Sequence, residues 1–62
     1  MIPRIGLRFL HRRVVDSNGK PATYVVTAIR QGVVWYKQPD ERKAKECCLY
    51  GSWASICLEP LL

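Results

Sequence analysis

Basic and aromatic side chains are the residues of this chain whose types and spacing could do chemistry. Ten Lys and Arg outnumber five Asp and Glu, which gives a formal net charge of +5. The excess is greatest near the start, where four arginines precede the first acid, Asp16. Such a field attracts polyanions over a long range, although the solubility of a small domain accounts for the same charge. Contact with nucleic acid or another polyanion is therefore the first hypothesis.

The basic residues of the first segment form a strip. In an extended strand, Arg8 and Arg12 point to one side, while His11 and Arg13 point to the other. A phosphate backbone suits such a strip because each contact releases counterions. Solvated charge that protects an edge strand from aggregation explains the strip equally well. The cations predicted to contact a nucleic-acid backbone are Arg8, Arg12, Arg13, Lys20 and Arg30.

Large aromatic rings form the second candidate set. The chain holds two Trp, three Tyr and one Phe, and we expect that a small β domain cannot bury all of them. An exposed Trp or Tyr beside Arg is suited to stacking on bases or to enclosing a methylated cation. We predict a stacking surface at Trp35 or Tyr24. The alternative is that the rings only add apolar area to the core.

The thiols and the histidine do not predict a metal centre or a catalytic site. Cys47, Cys48, Cys57 and His11 total the four ligands of tetrahedral zinc, but adjacent cysteines in a strand point to opposite faces and no Cys-x-x-Cys pair exists. His11 has no serine or cysteine nucleophile and no orienting carboxylate near it in sequence. We expect no metal, no cofactor, no catalytic residue, and thiols that are reduced and inert. A disulfide from Cys47 or Cys48 to Cys57 is geometrically possible, but a reducing compartment disfavours it.

Turn signals place these residues on strands. Asn18-Gly19 is a strong turn dipeptide, and Pro21 cannot donate to a strand ladder, so a new strand is expected to begin after it. In the preceding segment, residues 5–15, the apolar positions change parity near Phe9-Leu10. Because one extra residue reverses the inward face of a strand, the change predicts a β-bulge or bend there.

Residues 23–37 predict a β-hairpin at the centre of the chain. Two segments rich in β-branched and aromatic residues are joined by Arg30-Gln31-Gly32, in which the glycine supplies the positive φ of a tight turn. Residues of both parities are apolar, which is typical of strands that are covered on both faces or that curl around a small barrel. Trp35 and Tyr36 then point to opposite faces, and only one of them enters the core.

The remaining segments complete one domain, residues 1–62, of the all-β class. Residues 38–45 are polar and predict an exposed, mobile loop. Residues 46–50 suit a fourth strand. After them, a helical turn capped by Ser52 and a short strand over residues 56–58 fit the sequence comparably well. Pro60 ends either element, and Leu61-Leu62 is an apolar tail.

The order and spacing of these elements resemble the SH3-like small barrel, the architecture of Tudor, KOW and chromo-barrel modules. The resemblance covers most of the chain and implies four to five antiparallel strands with a short helical turn near the C-terminus. The sequence contains neither the acidic stretch and proline-binding aromatics of signalling SH3 domains nor a KOW-type basic-glycine signature.

Two functions remain open from the sequence. The first is a non-enzymatic module that contacts nucleic acid or a nucleic-acid-associated protein. The alternative is a protein-interaction or homo-oligomeric assembly module, which docks through an apolar hairpin face or through the C-terminal segment. Its candidate residues are Val33, Trp35, Leu61 and Leu62. We predict no small-molecule substrate.

The sequence also gives an expectation for the cellular compartment. Three cysteines do not form the even, dense framework of a small secreted protein. The first residues lack the apolar core of a signal peptide, and there is no run of about 18 apolar residues. We therefore expect a cytoplasmic protein that is not inserted in a membrane.

Overall fold

The computed structural model describes residues 2–61 as one antiparallel β-sheet with a short helical segment. A 3₁₀ turn, Tyr50–Ser52, leads into the helix α1, Trp53–Ile56, before the last strand. A helical turn and a final strand are thus both present, but Ser52 makes no side-chain capping hydrogen bond, and the strand includes Pro60, which was expected to end it. The all-β class with five antiparallel strands is confirmed. The strands are β1 (Arg8–Val15), β2 (Pro21–Arg30), β3 (Val33–Lys37), β4 (Glu46–Leu49) and β5 (Cys57–Leu61), in the spatial order β4-β3-β2-β1-β5.

One face of the sheet carries the core. Phe9 has no exposed surface, and its ring centroid lies 4.7 Å from that of Trp53 and 5.6 Å from that of Tyr36, both edge-to-face. Aromatic pairs prefer this geometry, and large rings supply the apolar area that a small domain needs. The buried apolar residues are Leu7, Phe9, Ala22, Tyr24, Val26, Val34, Tyr36, Trp53 and Cys57.

The central hairpin is confirmed, and its turn has two residues with positive φ. Gln31 has a φ of 51° and Gly32 a φ of 76°, and Arg30 pairs with Val33 on either side of them. Positive φ at both central positions is the type I′ turn, whose twist matches that of the flanking strands. The sequence predicted the positive φ of Gly32 but not that of Gln31, because residues other than glycine seldom adopt a positive φ.

Irregular pairing in β1 lies close to its predicted position, with two differences. The register changes after Leu10 against both neighbouring strands. However, the odd-numbered residues Phe9 and His11 are both buried, and an even-numbered residue faces the core only at Val14. The strand also begins later than residue 5, because Gly6 has a φ of 90° and the chain turns there.

A second irregularity, in β2, explains why both parities of the hairpin are apolar. The register against β3 changes between Val26 and Ala28. Val26 is buried before this point, and Ile29, of the opposite parity, packs against the core after it. One extra residue, Thr27, therefore reverses the inward face, as a bulge does. Its hydroxyl donates a hydrogen bond to the carbonyl oxygen of Trp35 at 3.3 Å.

The loop between β3 and β4 is folded back on itself. The backbone N–H of Gln38 donates to a carboxylate oxygen of Glu41 at 2.8 Å, and the N–H of Glu41 donates to the carbonyl of Gln38 at 3.0 Å. The ammonium of Lys37 donates to the carbonyl of Glu41 at 2.7 Å. Most of the loop is exposed, as expected, but Ala44 is half-buried. Its mobility stays a prediction.

The two edge strands differ in how they can pair. Strand β5 contains Pro60, which has no N–H, and proline is one of the residues that blunt an edge. Strand β4 has the sequence Glu-Cys-Cys-Leu without proline, and its last residue, Leu49, is 66% exposed. The edge formed by β4 therefore lacks this protection.

Candidate nucleic-acid interface

The face of the sheet opposite the core, here called the outer face, carries the outward residues of the hairpin. Strand alternation places Val34 and Tyr36 in the core, so Val33, Trp35 and Lys37 point outward. Directly paired residues of neighbouring strands have Cβ atoms about 5 Å apart. The cross-strand rows of the outer face are Arg30–Val33–Leu49, Ala28–Trp35–Cys47 and Val25–Lys37.

Trp35 is the hairpin ring that lies outside the core. It is half-buried, whereas Tyr36 is only 4% exposed. Its partner on β2 is Ala28, a small residue that leaves space beside the indole. Two shallow depressions lie against this ring. The ring therefore presents apolar aromatic surface to solvent at the centre of the outer face.

Cations surround Trp35 on more than one side. Arg30 lines both depressions, and Lys43 lines one of them from the loop. Lys37 follows Trp35 by two residues on the same face of β3, which corresponds to about 7 Å along the strand. Sequence reasoning missed Lys43, although the basic residues of its loop were a signal, because nothing local shows that this loop returns to β2.

The basic strip predicted along β1 is divided by the structure. Arg8 lies opposite Val25, which in turn lies opposite Lys37, so Arg8 extends the outer face by one strand. Arg12 donates from Nη2 to the carbonyl of Cys57 at 3.2 Å and lines a separate cleft beside Trp53. The strip is therefore not one continuous surface.

The other predicted residues lie elsewhere. Arg13 is exposed and lies in the irregularly paired part of β1. Lys20 is exposed in the turn between β1 and β2, where its backbone N–H donates to Asp16 Oδ1 at 3.0 Å. Leu61 pairs with Arg8 and is 38% exposed. Leu62 lies outside the described residues.

Tyr24 cannot serve as a stacking surface, and its prediction is wrong. It is 2% exposed, and its ring centroid lies 5.1 Å from that of His11 and 5.3 Å from that of Tyr36. The reason is parity, because Tyr24 alternates with Ala22 and Val26 on the inward face of β2. Only its hydroxyl meets a polar group, and it accepts a hydrogen bond from Gln38 Nε2 at 3.4 Å.

His11 belongs to the core and not to a basic strip. It is 5% exposed, and its Nδ1 accepts the backbone N–H of Arg13 at 3.0 Å, which places the proton of the neutral ring on Nε2. Burial lowers the pKa of His11 below its ordinary value, the carboxylate of Glu46 opposes this shift, and the charge of Arg13 adds to it. The ring is therefore neutral near pH 7 and adds no charge for a polyanion.

The remaining buried polar groups carry no charge near pH 7. Burial, reinforced by Cys48 and Glu46, raises the pKa of Tyr36 to about 12. Burial also raises the pKa values of Cys48 and Cys57. Trp53 Nε1 is buried without a hydrogen-bond partner. All three cysteines are free, and no group of three or more metal ligands occurs within residues 2–61.

Comparison with known proteins adds no relative. The chain matches no protein family, no curated protein and no solved structure. The resemblance to the SH3-like barrel therefore rests on strand order and spacing and stays a prediction. None of the helical segments between residues 2 and 61 has the length and apolarity to cross a membrane. The observations define a small all-β protein with an outward indole among cations.

Proposed function

We propose that this protein is a non-enzymatic binding module that contacts nucleic acid through the outer face around Trp35. One observation supports the proposal most directly: the half-buried Trp35 lines a depression together with Arg30 and Lys43. Stacking of a base on an aromatic ring is worth about 1–3 kcal/mol, and the cations can neutralise the adjoining phosphates.

The spacing of the cations also supports this function. Arg30 pairs with Val33, so it lies diagonally across from Trp35 at about 7–8 Å between Cα atoms. Lys37, whose ammonium donates to the carbonyl of Glu41, lies at a similar spacing on the other side of the indole, and Arg8 lies two strands beyond it. The outer face therefore offers positive charge on both sides of the ring. A single nucleic-acid strand that crosses the ring requires such charge for its phosphates. The net charge of +5 adds long-range attraction.

Fluorescence titration with a single-stranded oligothymidylate of about ten nucleotides tests the proposal. The chain has two tryptophans, and Trp53 is 3% exposed, so quenching on binding reports Trp35. We expect saturable quenching at low salt and an affinity that falls linearly with salt on a log–log plot. Absence of binding at tens of micromolar protein and low salt would refute the proposal.

Two charge-matched variants test the location of the site. Lys43→Gln and Lys20→Gln each remove one positive charge, but only Lys43 lines a depression beside Trp35. We expect Lys43→Gln to weaken binding several-fold more than Lys20→Gln at the same salt concentration. An equal loss in both variants would show that binding follows the net charge, and the outer face would lose its assignment.

Assembly through the β4 edge is a second candidate function. Leu49 is 66% exposed, shares a row with Val33 and precedes Tyr50, which is 41% exposed. This apolar strip adjoins the edge that lacks proline, so a second copy of the chain could extend the sheet there. Light scattering at high protein concentration tests it. Leu49→Lys should dissociate an oligomer whereas Leu58→Lys should not, and a monomeric wild type would remove this candidate.

A further inference from the structure

Two depressions on the outer face share Trp35. Trp35 and Arg30 line both of them. The first is completed by Gln31 and Val33 near the hairpin turn. The second is completed by Thr27, Ala28, Lys43 and Ala44.

The composition of the two depressions specifies the chemistry that fits them. Val33 gives the first an apolar side, and the small side chains of Ala28 and Ala44 do the same for the second. The residues that line them include two cations and no carboxylate. A ligand that fits has two flat, apolar rings and a negative group between them. Two nucleobases joined through a phosphate have this form.

The bulge in β2 contributes to the second depression. Without an extra residue, Thr27 and Ala28 would alternate strictly between the two faces of the sheet. Because the register changes between Val26 and Ala28, Thr27 and Ala28 both line the space beside Trp35. Bulges commonly redirect side chains next to functional sites.

We infer that the ligand of this surface is single-stranded nucleic acid, and that two adjacent bases occupy the two sides of the Trp35 indole with their shared phosphate toward Arg30. A paired base inside a duplex is stacked on its neighbours and presents only its edges in the grooves, so it cannot cover the ring. This inference rests on the proposed function and adds to it the form of the ligand and the number of bases held at the indole.

Oligonucleotides with abasic sites test the arrangement at constant charge. One strand carries two adjacent thymines among abasic sugar–phosphates, and a second carries the same thymines separated by one abasic site. We expect the adjacent pair to bind about tenfold more tightly and to quench Trp35 more strongly, which is the effect of one stacked base.

A variant that fills one depression gives the second test. Ala28→Leu adds volume beside Trp35 without changing charge, and it should abolish the preference for adjacent thymines. Ala54→Leu on α1, an exposed site away from the indole, is the control. Circular dichroism checks folding, and Ala44→Leu fills the same depression from the loop if Ala28→Leu unfolds.

The outcomes separate the inference from the proposed function. Equal affinity for adjacent and separated thymines, or a preference that persists in both Ala28→Leu and Ala44→Leu, would overturn the two-base arrangement while nucleic-acid binding stands. Binding of a duplex as tightly as of the single strand would overturn the single-stranded ligand. Absence of binding to every oligonucleotide would instead refute the proposed function.

Discussion

Trp35 and Tyr36 are neighbours in sequence, and we predict opposite consequences for their replacement by alanine. Tyr36→Ala should unfold the protein, because the ring is 4% exposed and lies 5.6 Å from Phe9 and 5.3 Å from Tyr24 between centroids. Trp35→Ala should leave the fold intact and remove binding, because the indole is half-buried on the outer face.

The magnitudes follow from burial and chain length. Replacing a buried large aromatic ring by alanine costs about 3–5 kcal/mol in the free energy of unfolding. A domain of this length has a total of about 3–9 kcal/mol, so Tyr36→Ala consumes most of it. Substitutions at the surface change stability by about 0.5 kcal/mol, and a half-buried ring by about 1 kcal/mol. Loss of stacking in Trp35→Ala should weaken binding by about 5-fold to 150-fold.

Urea unfolding followed by circular dichroism measures both stabilities, and fluorescence anisotropy of a labelled oligothymidylate measures binding. In Trp35→Ala the remaining tryptophan, Trp53, is in the core and gives an independent unfolding signal. If Trp35→Ala lowers the free energy of unfolding as much as Tyr36→Ala does, the assignment of the two rings to opposite faces is wrong. Unchanged binding by folded Trp35→Ala would refute the stacking role.

Three further predictions concern the fold and its titratable groups. Acidification below about pH 6.5 should destabilise the protein, since burial lowers the pKa of His11 and the unfolded chain then binds the proton more readily. Urea unfolding at several pH values measures the slope of the unfolding free energy against pH, and His11→Phe should flatten it. An unchanged slope would exclude His11 as its source. Gly32→Ala, at a φ of 76°, should cost about 1–2 kcal/mol of unfolding free energy, whereas Gly51→Ala, without positive φ, should cost less; similar losses would contradict the turn. Alkylation of the native protein with iodoacetamide, followed by mass spectrometry, should modify exposed Cys47 well before buried Cys57, whose pKa is raised by burial, and the reverse order would contradict their burial.

Local signals were sufficient for the strands and the hairpin. The tight hairpin turn follows from Gly32 between two β-branched segments, and the turn before β2 follows from Asn18-Gly19, so both turns could be predicted without knowledge of the rest of the chain, although the positive φ of Gln31 could not. Which of Trp35 and Tyr36 enters the core could not be predicted from local signals. Both parities of the hairpin are apolar, and the inward side is decided by packing against Phe9, which is distant in sequence.

The residues of the candidate site depended on long-range placement. Tyr24 and His11 were predicted to be accessible because nothing local distinguishes a ring on the surface from one that packs in a core. Lys43 was missed for the converse reason, since a polar loop gives no sign of which strand it returns to. Trp35 and Arg30 were predicted because both lie on the hairpin, whose geometry is local.

The unequal edges of the sheet limit the size of any assembly built by strand pairing. Pro60 interrupts the hydrogen-bonding pattern along β5, and β4 has no such interruption. Two copies that join through β4 place both of their receptive edges inside the contact and leave a proline-bearing strand at each end. In an assembly of this kind growth would stop at a closed pair, and no filament would form.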